Sequence, residues 1–246
     1  MAFRSNEPTS LVFPPFRGVT RRIILIAFGV YLGLAVLALF SRELAGTLNF
    51  LLLLRSDKSL HPLVWELVTY PFSSSGLLSI VFATLSIWFF GSALEEERGP
   101  LWMTEYFLTA TIGGAVVGLL LYMAGQRYIP AFEGNTTNGG LWPAVLALLV
   151  AYAKLHAEDQ VNFNFFFTLK AKYIVAIYVL FYVGVTLVDR DRLGALVALC
   201  NALAGYLFLR VAPRYGFRVG VSEKWCALRN LYYRSKRKRA AKKIKV

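Results

Sequence analysis

The sequence predicts an all-α membrane protein, a polytopic bundle of six transmembrane helices, and three observations lead to this prediction. Hydrophobic residues make up 57% of the 246 residues and charged residues only 17%, whereas soluble domains contain roughly 45–50% apolar residues. The charged residues are separated by uncharged runs close to the ~17–25 residues that cross a bilayer core of ~30 Å. The alternating pattern of a transmembrane β-barrel is missing, and lipid admits only helices and closed barrels.

Six uncharged runs are predicted to cross the bilayer in order along the chain. The first comes after the segment MAFRSNEPTSLVFPPFRGVTRR, which has no apolar core and no small-residue cleavage site, so we expect this run to be retained as a span. The stretch 44–54 is apolar but too short to cross, and we expect it to lie in the membrane interface. The six runs comprise residues 23–40, 67–94, 106–126, 134–153, 173–188 and 193–209.

The distribution of lysine and arginine predicts that both ends of the chain are cytoplasmic. With the N-terminus inside, 21 of the 27 Lys and Arg residues lie on the inner side, and positive charge is enriched in cytoplasmic segments. Thirteen of them lie from Arg210 onward, so the tail carries most of this inference. We therefore expect a multi-pass protein of the plasma membrane, with a cytoplasmic segment 1–22, a membrane domain 23–209 and a cytoplasmic tail 210–246.

The C-terminal tail combines an amphipathic stretch with a polybasic segment. Trp225, Leu228, Leu231 and Tyr232 fall on one helical face and are followed by eight Lys and Arg residues. Such a segment binds anionic lipid, and each basic residue near the surface contributes about 1 kcal/mol. Anionic lipid headgroups are therefore the expected partner of the tail, and nucleic acid phosphates are the less favoured alternative.

Few residues in the sequence are suited to metal binding or to redox chemistry. Cys200 lies in the last run and Cys226 in the tail, a spacing that indicates neither a disulfide nor a zinc site. The two histidines, His61 in the first external loop and His156 near the inner end of the fourth run, lie outside the predicted spans. We expect no metal and no cofactor.

Residues 72–99 read FSSSGLLSIVFATLSIWFFGSALEEERG. This segment resembles the second helix of the rhomboid intramembrane serine proteases, which ends in an acidic E-x-x-x-G turn. The glycine-bearing start of the fourth run and ALAGYLF in the sixth run keep the family order. The resemblance covers about residues 23–209 and implies the six-helix rhomboid fold. The motif positions singled out by the resemblance are Gly76, Trp88, Gly91, Glu95, Gly99, Gly140 and Gly205.

The resemblance also implies where a catalytic site would lie, and each of its four positions is substituted. The nucleophilic serine of the family falls on Trp142, and the histidine that takes its proton falls on Ala198. The histidine and asparagine that stabilise the oxyanion fall on Ser79 and Ala83. Acyl transfer needs a nucleophile, a base with a suitable pKa and donors aimed at the oxyanion. We therefore predict no catalytic residue at these degenerate positions.

Two functions from different classes are consistent with this resemblance. The favoured hypothesis is a rhomboid-like pseudoprotease, comparable to the iRhoms and derlins, that binds transmembrane clients between its second and fifth spans without cleaving them. The alternative is a rhomboid-type intramembrane serine endopeptidase with a non-standard or residual site, using the hydroxyl of Ser74, Ser79, Thr136 or Thr137. A small transporter is less favoured, because the six runs contain no Asp, Glu, Lys or Arg and such residues mark most conduction paths.

Overall fold

The computed structural model describes the membrane domain with a few short gaps. The N-terminal residues 1–13 and the tail 212–246 lie outside the described residues, and so does the predicted contact of the tail with anionic lipid. His61 and Ser74 lie outside them as well. The described ranges are 14–56, 64–73, 76–129, 132, 136–157, 160–163, 167–188 and 192–211.

Apolar helices make up most of the described structure. A π-helical segment, Ile87–Gly91, joins two of them into the continuous helix Leu77–Arg98. The helices in chain order are α1 (Gly18–Phe40), α2 (Arg42–Leu52), α3 (Glu66–Thr69), α4 (Leu77–Ser86), α5 (Ser92–Arg98), α6 (Pro100–Tyr128), α7 (Trp142–Leu155), α8 (Ala171–Val188) and α9 (Arg192–Val211).

Two short antiparallel ribbons accompany the helices. Strand β1 (Leu54–Arg55) pairs with β2 (Thr137–Asn138), so the chain after α2 is joined to the chain before α7. Strand β3 (Gln160–Phe163) pairs with β4 (Phe167–Lys170) between α7 and α8. The first ribbon lies in the connection that leads to the candidate site.

Within the described ranges, five helices are long and apolar enough to cross a membrane. They correspond to the first, second, third, fifth and sixth predicted spans, which confirms an all-α polytopic membrane fold. These helices are Gly18–Phe40, Leu77–Arg98, Pro100–Tyr128, Ala171–Val188 and Arg192–Val211.

The fourth predicted span is shorter than the sequence indicates. We predicted a run over residues 134–153, but α7 begins at Trp142 and has 14 residues. Such a helix extends about 21 Å at 1.5 Å per residue, which is less than the ~30 Å hydrocarbon core. The residues before it are used in strand β2, where Asn138 pairs with Leu54, and in a turn at Gly140. The prediction of six full-length spans is therefore not confirmed.

The second predicted span begins later than expected. Its first residues form α3 and a 3-10 turn, Tyr70–Phe72, and the long helix starts only at Leu77. Pro71 within the turn has no backbone N–H to continue a helix. The Tyr70 carbonyl accepts the N–H of Gly140 at 2.8 Å. This turn therefore places the entry to α4 beside the entry to α7.

The most extensive helix contact in the fold joins α6 to α9. A Cβ added at Gly114 or at Gly118 would overlap the backbone of Asn201 or of Val197 on α9. Small residues that allow such close approach hold helices together in lipid, where water expulsion provides no driving force. Helix α7 packs on α9, and α8 packs on both of them. Helix α7 thus packs on the closely associated helix pair α6 and α9.

Glu95, in the acidic turn of the second span, joins that span to the start of α1. Its Oε1 accepts the N–H of Val19 at 2.7 Å, and its Oε2 accepts the N–H of Thr20 at 2.9 Å and the Thr20 hydroxyl at 2.7 Å. The first N–H groups of a helix have no partner within the helix. The carboxylate therefore caps α1 from another part of the chain, which explains an acidic residue at this end of the second span.

Helix α2 corresponds to the short apolar stretch that we expected in the membrane interface. It packs along α1, and Ala45 is its one buried residue. Ser41 separates the two helices, and its hydroxyl accepts the N–H of Leu44 at 3.3 Å. A serine at this N-cap position satisfies one of the free amide groups. The reversal of the chain between α1 and α2 thus has a local cause.

Candidate functional site

The loop before α7 is shaped by one left-handed glycine and one proline. Gly140 has φ +108°, a conformation that residues with a Cβ avoid. Its N–H is already bonded to the Tyr70 carbonyl at 2.8 Å. Pro143 lies in the first turn of α7, where a missing N–H removes no helical hydrogen bond. The glycine therefore serves the turn, and its N–H is not aimed at an oxyanion.

Trp142 and Ser79, two of the four degenerate positions, are in direct contact. The indole Nε1–H of Trp142 donates to Ser79 Oγ at 3.0 Å. Both residues are half-buried, and the indole packs against the main hydrophobic core. A large side chain thus fills the position implied for the nucleophile, and its hydrogen bond joins α7 to α4.

A small cavity lies beside this hydrogen bond. Its empty volume is about 190 Å³ when the part open to the outside is included. Ala83, the second degenerate position on α4, contributes a buried methyl group to the wall. The lining residues are Ala27, Pro71, Phe72, Ser79, Ile80, Ala83 and Leu141.

Ala198, the position implied for the catalytic histidine, is fully buried in a separate cluster. It packs with Leu146 of α7 and Ala202 of α9, and Tyr178 of α8 borders the cluster. Leu146 lies one helical turn beyond Trp142. The structure therefore groups Trp142, Ser79 and Ala83 around the start of α7 but encloses Ala198 further along that helix. A methyl group there accepts no proton.

The histidine within the described residues is far from this site. His156 directly follows α7, and its Nε2 lies 3.6 Å from Glu97. Trp142 begins the same helix, so the two residues are separated by about 20 Å at 1.5 Å per residue. In the described part of the chain, no three His, Cys, Asp or Glu side chains could hold a metal ion.

Sequence reasoning missed a buried amide near the site. The Asn201 side chain lies 3.0 Å from the Tyr70 hydroxyl. When the amide nitrogen donates to the carbonyls of Ala110 at 3.2 Å and Val197 at 3.1 Å, the amide oxygen accepts a hydrogen bond from the Tyr70 hydroxyl. This amide ties α9 to α6 and to the turn before α4. In the sequence, Asn201 stands out as the single amide side chain in the run 193–209. It is uncharged, so the pattern of charged residues does not reveal it.

An aromatic and a glycine motif position of the second span fix neighbouring segments. Trp88 donates its Nε1–H to the Pro14 carbonyl at 3.0 Å, and its ring meets Phe16 edge-on at 5.9 Å. A Cβ added at Gly91 would lie 3.2–3.3 Å from atoms of Met103 and Thr20. Both residues therefore hold the start of α1 and the second span together.

The other motif glycines have different surroundings. Gly99 ends α5 with φ +91°. A Cβ added at Gly205 would overlap the hydroxyl of Tyr106, which donates to the Ala147 carbonyl. Gly76 precedes α4 in an extended conformation with open space around it, and nothing in the structure explains a glycine there. Gly99 and Gly205 therefore shape a helix end and a helix contact of the bundle.

A bundle of apolar helices, several of them long enough to cross a bilayer, defines a multi-pass integral membrane protein. Residues 22–213 match the family described as eukaryotic integral membrane protein (DUF1751), and the chain belongs to this family. It is also similar to RHOMBOID-like protein 12, mitochondrial, of Arabidopsis thaliana, with 27% identity over 154 residues. That similarity covers 59% of this chain and 42% of the relative, so the chain spans less than half of that protein. The rhomboid-like resemblance and the multi-pass membrane class are thereby confirmed.

Proposed function

We propose that this rhomboid-like protein binds transmembrane segments of client proteins without cleaving them, in membrane protein quality control, trafficking or regulation. The hydrogen bond between Trp142 and Ser79 carries the proposal. It places an indole where a nucleophile is implied and uses the hydroxyl at a position implied for oxyanion stabilisation. The fold is kept while the groups needed for peptide cleavage are replaced.

The chemistry of the four positions argues against hydrolysis by the rhomboid mechanism. An indole is not a nucleophile for acyl transfer, and the methyl groups of Ala83 and Ala198 neither accept a proton nor donate a hydrogen bond. Loss of a single member of a catalytic set already lowers kcat by about 10⁴–10⁶-fold in serine proteases.

Two apolar surfaces beside α7 suit the binding of a client helix. Helices α4 and α8 both pack on α7. Their outward residues are strongly exposed, as Leu78 on α4 at 72% and Leu180 on α8 at 73% illustrate. In lipid such surfaces are covered by acyl chains or by another helix, and packing and hydrogen bonds decide between them. We therefore place the client between the second and fifth spans.

Short helices near this surface favour entry of a client that is itself short or polar. Helix α8 has 18 residues and extends about 27 Å, and α7 is shorter still. A span shorter than the hydrocarbon core is accommodated partly by thinning of the bilayer around it. A locally thin bilayer lowers the free energy of holding a polar client segment beside these helices.

The alternative function, a residual intramembrane endopeptidase, needs an activated hydroxyl. Ser79 accepts the indole N–H, and Thr136 Oγ1 lies 3.3 Å from Ser56 Oγ. Neither contact involves a base, and an alcohol without a base is a weak nucleophile. A fluorophosphonate probe distinguishes the two functions: labelling that is lost in Ser79→Ala or Thr136→Ala would favour the peptidase.

Orientation and further partners extend the proposal. We place both ends in the cytoplasm, since the basic residues of the tail outnumber those of the external loops and follow the positive-inside rule. The plasma membrane is the proposed location. Anionic lipid headgroups are proposed as the partner of the tail. Imaging of a tagged full-length chain tests the membrane, and liposomes with and without anionic lipid test the tail.

Crosslinking in native membranes tests client binding. A photoreactive amino acid at Leu78, which is exposed on α4, should capture membrane-spanning proteins. The same group at Leu120, exposed on α6, is the matched control for random encounter in the bilayer. The client proposal is wrong if the two positions capture the same proteins in equal yield.

A further inference from the structure

The hydroxyl groups of α4 are used in two different ways. Thr84 and Ser86 donate to carbonyls of their own helix, at 2.6 Å to Ile80 and 2.8 Å to Phe82. Ser79 instead accepts a hydrogen bond from Trp142 at the start of α7. The Ser79 contact is thus a bond between two helices, whereas the other two contacts add nothing to helix association.

Helix α4 has limited packing of its own. Only Ile80, Ala83 and Thr84 of its ten residues are buried. Ile80 and Ala83 line the cavity together with Ala27 and Leu141, and all four belong to the main hydrophobic core. A hydrogen bond in apolar surroundings has no water to compete with it and retains more of its strength than one in water. The Trp142–Ser79 bond therefore adds a directional contact to the apolar packing between α4 and α7.

We infer that the Trp142–Ser79 hydrogen bond closes α4 against α7 over the cavity, and that client segments which offer a hydrogen-bonding side chain open it. This inference rests on the proposed client binding. Opening the bond in lipid leaves the indole N–H of Trp142 without an acceptor, which is unfavourable. A Ser, Thr, Asn or Gln side chain on the client, at the depth of Trp142, replaces the lost partner.

The inference gives Trp142 a role in recognition in addition to filling the nucleophile position. A fully apolar client provides no replacement bond and leaves the helix pair closed. A client with one polar residue forms a hydrogen bond with Trp142, and this bond replaces the hydrogen bond between the two helices. The chemical class of partner is therefore a transmembrane segment with a single uncharged polar residue at this depth.

Opening of the helix pair is measured by thiol labelling in native membranes. Ala83→Cys in a Cys200→Ala, Cys226→Ala background reports entry of N-ethylmaleimide and water into the cavity. Trp142→Phe keeps an aromatic ring without the donor, and Ser79→Ala removes the acceptor. Each should raise the labelling rate by about 3- to 10-fold, the factors that correspond to about 0.6–1.4 kcal/mol, as expected for one interhelical hydrogen bond.

Two controls separate opening from general loss of structure. Ser86→Ala removes a hydroxyl that bonds within α4 and should leave the labelling of Ala83→Cys unchanged. The native Cys200 is buried in α9 and should label equally slowly in every variant with Cys226→Ala. Equal labelling of Ala83→Cys in the parent, Trp142→Phe and Ser79→Ala overturns the inference. Faster labelling of both Cys200 and Ala83→Cys in Trp142→Phe or Ser79→Ala also overturns the inference. The loosening would then not be confined to α4 and α7.

Capture of model peptides tests the choice of client. Two leucine-rich transmembrane peptides are compared, one with a single Asn near one end and one with Leu at that place. With a photoreactive group at Leu78, the Asn peptide should be captured several-fold better by the parent, and Trp142→Phe should reduce this preference. Equal capture of both peptides overturns the recognition step. If neither peptide is captured but Trp142→Phe still labels faster, the hydrogen bond does close the helix pair. The proposed client function is then wrong.

Discussion

At the residue scale, Trp142 combines packing on the core with a hydrogen bond to another helix. Its indole packs on the core and donates to Ser79, so the side chain is anchored at both its apolar and its polar part. Indole rings satisfy buried environments in this way because they combine a large apolar surface with one donor. The position implied for a nucleophile has become a contact between helices.

The surroundings of the four degenerate positions predict the outcome of rebuilding the site. Trp142→Ser with Ala198→His should show no detectable cleavage of a transmembrane reporter, because the oxyanion would still lack its donors. Each missing donor lowers kcat by about 10²–10³-fold. Adding Ser79→His and Ala83→Asn should yield measurable cleavage, detected as a shift of the reporter on a gel.

A matched control for the rebuilt enzyme is the same fourfold variant with Ala at position 142, which has the added donors but no nucleophile. Cleavage by the twofold variant alone would contradict the prediction. It would mean that the main-chain donors at the start of α7 stabilise the oxyanion without help from the second span.

At the element scale, the second span shows how an irregular helix joins several neighbours. Its π-helical segment carries Trp88 and Gly91, which contact the chain before α1 and the side chains of Thr20 and Met103. A π-helical turn contains an extra residue, so the side chains after it point in different directions than in a regular α-helix. Glu95 lies on α5, directly after this segment, and reaches the amide groups of α1.

Glu95→Gln is expected to loosen α1 from the second span. The variant loses the negative charge and one of two carboxylate oxygens that accept three hydrogen bonds from Val19 and Thr20. Loss of an N-cap costs about 0.5–2 kcal/mol. A chain of this size loses about 2–4 °C of Tm per kcal/mol, so thermal unfolding in mild detergent should show a lower Tm by several degrees.

Glu96→Gln is the control for this effect, since it removes the same charge from the neighbouring position. Its pair with Arg17 is 3.7 Å long, and the side chains of Glu96 and Arg17 are 51% and 77% exposed, so the change in Tm should be within error. An equal decrease for both variants would assign the effect to the charge of the acidic run and would contradict capping by Glu95.

At the scale of the whole molecule, the sequence predicts the class of fold better than the extent of each helix. Long uncharged runs identify the spans because lipid excludes charge, whatever the tertiary contacts are. The start of α7 depends on contacts that are distant in sequence, namely the pairing of Asn138 with Leu54 and the bond from Gly140 to Tyr70. A hydropathy run contains no record of such contacts, so it includes residues of the loop.

The candidate site was predictable to a similar degree. The resemblance aligns Trp142 and Ser79 with positions of one active centre, and the structure brings their side chains together. The hydrogen bond itself does not follow from the resemblance, because the rhomboid proteases carry other residues at both positions. The amide of Asn201 was predictable only as an exception in an apolar run, and its partners Tyr70, Ala110 and Val197 are known only from the packing.

Contacts at one end of the bundle bring the start of α1 and the end of α9 together. We therefore predict that the two ends of the chain lie on the same side of the membrane. Glu95 near the end of α5 caps the start of α1, and α6 begins directly afterwards at Pro100. Phe208 near the end of α9 packs on Trp102 at 5.8 Å. The short helix α7 must therefore reverse the direction of the chain as a full span does, despite its length.

Protease protection in sealed vesicles measures this arrangement. Epitope tags at the two ends of the full chain should be cleaved together or protected together, in both vesicle orientations. A tag inserted after Ile129, beyond the end of α6, should behave in the opposite way. If the two terminal tags differ, α7 does not carry the chain across. The start of α1 and the end of α9 would then lie on opposite sides. That result would contradict the contact of Phe208 with Trp102, which keeps the end of α9 beside the start of α6.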